Sequence, residues 1–131
     1  MRGDAVNRRA AVQFLHERHP DVIDAPGTDV DLEALHLEVL WFQGHTCELV
    51  DARAEKDLRR CFATAQHLLL RGDREVQDAV CHDYVLPHLV MHPELAWARK
   101  RMPSVLAELV DKLRESLDEH FARGPTGNAD E

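Results

Sequence analysis

The chain has 131 residues, 44% of them hydrophobic and 31% charged, which is the composition of one globular domain with no room for a second core. Sixteen Lys and Arg against twenty-four Asp and Glu leave a formal charge of -8, a sign that sets the protein against phosphate backbones and anionic lipid and toward basic protein partners. A single Tyr argues against a strand-rich fold, and Cys47, Cys61 and Cys81, odd in number, without C-x-x-C pairing and among apolar neighbours, read as small buried hydrophobes and imply no disulfide framework.

In chain order, a first helix is predicted from Ala5 to about Arg18, with Asp4 as its N-cap, Val6, Ala10, Phe14 and Leu15 on one stripe, and Pro20 closing it. The loop "DVIDAPGT" follows. Thr28 with Asp31 approximates a capping box, so a second helix should run from about Val30 to Asp51. This is the most apolar segment and the expected central helix. Leu32, Leu35, Val39, Phe42, Thr46 and Leu49 step by threes and fours, while Leu37, Leu40 and Trp41 widen the arc, which predicts neighbours on more than one side. Gly44 in its interior costs about 1 kcal/mol relative to Ala and points to a close helix crossing or a bend.

A third helix is predicted over Glu55 to Arg71, with Leu58, Cys61, Phe62, Ala65, Leu68 and Leu69 as core and Glu55, Arg59, Arg60 and Gln66 opposite. Arg71-Gly72-Asp73 then supplies a C-terminal cation, a glycine able to take positive φ, and an N-cap for the next helix. The same tripeptide stands at residues 2–4; capping explains it better than cell adhesion does. The fourth helix should run from Arg74 to about Leu86, with Val76, Ala79, Val80 and Tyr84 inward, until Pro87 ends or kinks it. Pro93 opens a short helix through Trp97. Pro103 opens the last, carried by Leu106, Leu109, Val110, Leu113, Leu117 and Phe121. The expected architecture is all-α, a compact bundle or orthogonal array of five or six helices built from αα-hairpins: one domain over residues 1–123, with a flexible polar tail over 124–131.

The stretch "HDYVLPHLVMHPELAW" holds three histidines, and His88 and His92 have the i,i+4 spacing of a metal-binding helix face. Pro87 and Pro93 bracket that pair and leave less than two turns in which such a face could hold. The expectation is therefore no metal, with the histidines bonding free carbonyls at helix ends. A rival pattern resembles the HD superfamily of all-helical phosphohydrolases, whose ligand order is His, then adjacent His-Asp, then Asp, around a divalent ion that activates water. The matching positions are His45 or His67, His82-Asp83 and Asp111. Cys81 adjoins His82, but neighbours on a helix point about 100° apart, and no nucleophile elbow or Gly-rich phosphate loop occurs. Trp41, Tyr84, Glu94 and Trp97 are the candidate binding residues, as large or charged side chains in or beside helix corners.

The segments "LRRCFATAQHLLLRGD", "EVQDAV" and the Trp-Ala then Met-Pro ending at Pro103 resemble a family of small bacterial all-helical domains without an assigned function, over roughly residues 33–105. That resemblance implies a fold and no chemistry. In size and charge the chain is also similar to immunity proteins, which neutralise a bacterial toxin by occluding its active site. The expected function is a non-enzymatic protein-binding module without cofactor, an antidote-type protein facing a basic toxin in its most concrete version. Metal-dependent phosphohydrolysis at His82-Asp83 is the alternative. Cytoplasmic residence is expected from the absence of an apolar leader or membrane-length run, and a homodimer through an exposed stripe of the last helix is a further possibility.

Overall fold

The computed structural model describes residues 5–129, with the side chains of residues 87–88 and 120–129 outside the description. Helix α1 (Arg8–Arg18) starts later than the periodicity predicts, because Asn7 rather than Asp4 supplies the cap: its side chain accepts a hydrogen bond from the Ala10 N–H. Asp4 lies outside the described residues. Val6 is instead extended, its N–H donating to the Arg71 carbonyl and its own carbonyl accepting from the Asp73 N–H, both at 2.8 Å. The chain's start is thereby tied to the corner that ends α3, 65 residues on.

Helix α2 (Leu32–Ala52) is capped by Asp31, whose carboxylate accepts from the Ala34 N–H, so the Thr28 capping box does not form. It ends without glycine. Arg53 takes the left-handed conformation at φ 52°, and its N–H and that of Ala54 close on the carbonyls of Val50 and Leu49. Helix α3 (Glu55–Arg71) follows at once and buries Leu58, Cys61, Phe62, Ala65 and Leu68 as predicted. Gln66 departs from its expected solvent role: its side-chain carbonyl accepts the Leu106 N–H at 3.0 Å, satisfying one orphan donor at the start of the last helix.

Gly72 is needed for space rather than for a left-handed backbone. Its φ of -70° and ψ of 153° are open to any residue. A Cβ there, however, would stand 2.5 Å from both the Leu68 carbonyl oxygen and Val76 Cγ1. Asp73 then caps α4 (Arg74–Ala79) through the Val76 N–H, as the tripeptide foretells.

Beyond Ala79 the expected α-helix gives way to a π-helix over Val80–Leu89, with the Val90 N–H reaching back to the Val85 carbonyl. Pro87 therefore does not end the helical segment. The wider winding carries the chain past a residue with no N–H to donate, and it turns adjacent side chains to one side. Tyr84 and Val85 are both buried, as are Leu89 and Val90. The short α5 (Leu95–Arg99) and the long α6 (Ser104–Ala129) complete the chain; α6 is continuous through residues 124–129.

The result is the all-α architecture expected, with no strand among the described residues and α2 packed against α1, α3, α4 and the π-helix. Its centre is an aromatic stack. Phe42 lies 4.8 Å from Tyr84 at an interplanar angle of 17°, and His19 tilts against Phe42 at 5.0 Å. The Thr46 hydroxyl donates to the Phe42 carbonyl, so Tyr84 donates its phenolic proton to Thr46. None of the described helices is long and apolar enough to cross a membrane.

Candidate functional site

Helix α2 carries two apolar faces, and only one is covered. Leu35, Val39, Phe42, Thr46 and Val50 are buried. At 100° per residue, Leu37, Leu40, Trp41, Gly44 and Glu48 form a second stripe about half a turn round the same helix. Contrary to the expectation of neighbours on more than one side, that stripe faces solvent: Leu37 is 52% exposed, Leu40 42% and Trp41 67%. Gly44 likewise marks no internal crossing, for nothing stands within 4 Å of where its Cβ would be. Width of apolar arc does not say which part of it a single short chain can cover.

The stripe forms one wall of a groove of about 570 Å³. Asp21 and Val22, from the loop after α1, form the other wall, and His45 and Glu48 of α2 also line it. Three exposed large apolar side chains around a helical glycine make a contiguous patch of the kind that marks contact with another molecule.

The other candidate anchors fare differently. Tyr84 is fully buried, with its hydroxyl bonded to Thr46, and so leaves the list of contact residues. Its inward place on the π-helix is the physical reason. Trp97 is half-buried between guanidiniums, with Arg101 4.0 Å and Arg53 5.1 Å from its ring. Glu94 pairs with Arg53. The side chains of this corner already hold one another, whereas no ion pair or cation–ring contact holds Trp41 among the described residues.

The four positions resembling an HD arrangement are not brought together. His45 lies on the groove; His82 is exposed; Asp83 bonds His36 on α2; Asp111 receives a two-pronged bond from Arg99 at 3.0 and 2.8 Å. His67, the other first-ligand candidate, stacks on Phe14. His92 accepts the Glu94 N–H at Nδ1, so its Nε2–H faces Asp51 at 3.0 Å. The His88 side chain is outside the described residues. Among the described residues no three His, Cys, Asp or Glu side chains are placed to share a metal ion.

A family model described as a domain of unknown function (DUF7674) matches residues 12–117. The chain belongs to that family. The match runs beyond the 33–105 stretch on which a resemblance was read, and it takes in both walls of the groove. No curated protein and no solved structure matches the chain.

The part matched to DUF7674 holds three free thiols, each with its pKa above the ordinary value. Burial pushes Cys61 up to about 11, and burial also raises Cys47 and Cys81, the last two being only half-buried rather than fully buried as expected. Beside the groove, a smaller cleft is lined by His19, Arg18, His45 and Arg60 among others. The Thr64 hydroxyl donates to the Arg60 carbonyl, so His19 must donate from Nε2 to Thr64. Burial first, then the neighbouring His45, Arg60 and Arg18, lower its pKa from 6.5 to about 4.

That shift has a signed consequence. His19 stays neutral in the folded state while the unfolded chain takes up a proton below pH 6.5, so its stabilising contribution is whole above pH 6.5 and disappears as the pH falls toward 4. The loss expected is about 3 kcal/mol. Urea midpoints at pH 7 and pH 4.5 should differ less in His19→Gln than in the parent chain; equal differences would remove His19 as the cause.

Neither the His36–Asp83 bond nor the groove was identified from sequence. The first joins residues 47 apart and has no local signature. The second had one: between His19 and Ala52 the sequence contains no Lys or Arg at all.

Proposed function

We propose that the protein is a non-enzymatic protein-binding module that docks a partner on the outer face of α2. The supporting observation is the exposed Leu37–Leu40–Trp41 patch around Gly44, on a helix whose opposite face is fully used by the core. Trp41 is the expected anchor, since large aromatic side chains in such patches carry most of the binding energy.

Trp41→Ala should leave unfolding unchanged within about 0.5 kcal/mol, because an exposed side chain gives the core nothing. It should weaken the partner by about thirtyfold or more, the loss typical of a central aromatic anchor. The comparison is between parent, Trp41→Ala and Trp97→Ala chains as baits for one isolated partner, with affinity measured by calorimetry. A partner held equally by the parent and Trp41→Ala would refute this face as the contact.

In its narrower form the proposal is an antidote-type protein acting in the cytoplasm, whose acid-rich surface neutralises a basic toxin. The formal charge of -8 supports it. Co-expression of the chain should restore growth to cells making a basic toxin that it binds, and the Trp41→Ala chain should not.

A further inference from the structure

The negative charge of this protein is not spread over its surface. Eight acidic side chains lie between Asp21 and Asp51, and no Lys or Arg occurs from residue 19 to residue 52. Twenty-four acids less these eight leave sixteen, which match the sixteen Lys and Arg of the rest of the chain. The entire formal charge of -8 therefore sits on the loop and helix that form the two walls of the groove. Asp21 and Glu48 border the groove itself, and the Glu38 carboxyl is raised by burial and by its neighbour Asp24, a crowding of like charges that a cation would relieve.

Resting on the docking role proposed above, we infer that the occupant of this groove is a basic amphipathic helix, with an apolar stripe seated on Leu37, Leu40 and Trp41 and Lys or Arg side chains on its flanks. Three features select that chemistry. The α2 stripe steps by threes and fours over Leu37–Glu48, about 16 Å, which matches three turns of a partner helix. Gly44 at its middle offers open space where a Cβ would be, so a second backbone can approach closely. The only ionisable side chains on the walls are the Asp21 and Glu48 carboxylates and the His45 imidazole, so cationic flanks meet complementary charge on both walls, away from the neighbouring cleft that Arg18 and Arg60 line.

The same charge disfavours the other occupants. A symmetric pairing of two copies through this face would bring Asp21 and Glu48 of one copy toward those of the other, with no guanidinium or ammonium group in either wall to separate them. Nucleic acid and anionic membrane carry the wrong sign. Because the site is a groove, the partner must enter it with a protruding element, which a helix provides and a concave cleft does not.

The test is a displayed library of helices about four turns long, each with a fixed Leu/Ala stripe and flanking positions randomised among Lys, Glu and Gln, selected against the full chain. Binders are re-measured on Gly44→Leu and Trp41→Glu, two exposed positions whose substitution leaves the core untouched, with folding checked by circular dichroism. The expected binders have Lys-rich flanks, lose about tenfold or more in affinity on both variants, and weaken severalfold when salt is raised to about 0.5 M. Binders that respond to both variants but carry neutral or acidic flanks would overturn the basic helix and leave the docking face standing. Binders indifferent to both variants would overturn the docking face itself. Sedimentation showing a dimer that Gly44→Leu dissolves would replace the helix by a second copy of this chain.

Discussion

Truncating Phe42 to alanine is expected to lower the unfolding free energy by about 3–5 kcal/mol, a large share of the roughly 5–15 kcal/mol that holds a typical domain folded. Phe42 is 1% exposed and is the ring against which both His19 and Tyr84 pack. Its loss leaves a cavity between α1, α2 and the π-helix, three segments that cannot all close on it, because the Thr46–Tyr84 bond and the Phe42 carbonyl hold the neighbouring backbone in place. Urea unfolding followed at 222 nm is the measurement. A loss under about 1 kcal/mol would mean that the stack is not the centre of the core. Tyr84→Phe provides the graded companion, expected to cost only about 0.5–1.5 kcal/mol, since it keeps the ring and removes one hydrogen bond.

Gly72→Ala is the second large effect, expected to cost about 1–3 kcal/mol. A single methyl there would meet a backbone oxygen at 2.5 Å and the branched Val76 side chain at 2.5 and 2.8 Å. Neither neighbour is free to retreat. The Leu68 carbonyl is accepting the Gly72 N–H at 2.8 Å, and Val76 is buried in the first turn of α4. Strain at this point should also loosen the Val6 bridge, so amide exchange at Val6 and Asp73 should accelerate together in the variant. Gly27→Ala is the control: nothing lies within 4 Å of that position, and the change should be nearly neutral. Equal stability of the two variants would show that Gly72 is not held by space.

Much of this architecture was readable from local chemistry. Helix α3 appears with the bounds its period predicts, and Asp73 caps α4 because a short carboxylate before an apolar turn reaches the N–H of Val76 wherever it is placed. The middle of the inward stripe of α2 was equally plain, since Leu35, Val39, Phe42 and Thr46 recur at the helical repeat, while at its ends Leu32 is exposed and Leu49 half-buried. Departures arose where two local devices competed or where the deciding partner was distant. Asp31 took the cap that Thr28 was expected to hold, and Asn7 that expected of Asp4. The π-helix replaced a break at Pro87, because burial of Tyr84, Val85, Leu89 and Val90 together outweighs the α-helical bonding that the proline disrupts.

On α1 the expected stripe of Val6, Ala10, Phe14 and Leu15 gives way to Ala11, Val12 and Leu15. What the sequence alone determined, then, is the helical class, most helix positions, the covered face of α3, and a charge imbalance concentrated in residues 19–52. These follow from periodicity, capping and ionisation, which act between residues a few positions apart. Only the tertiary structure decided which apolar residues remain outside, because burial depends on how many neighbours the chain can bring to a helix. On α2 they cover Phe42 and leave Trp41 bare. It also decided that Tyr84 is core, that Glu94 and Trp97 are held by Arg53 and Arg101, and that His45, His82, Asp83 and Asp111 go separate ways. Convergence of side chains far apart in the chain is a property of packing, and no spacing between adjacent residues encodes it.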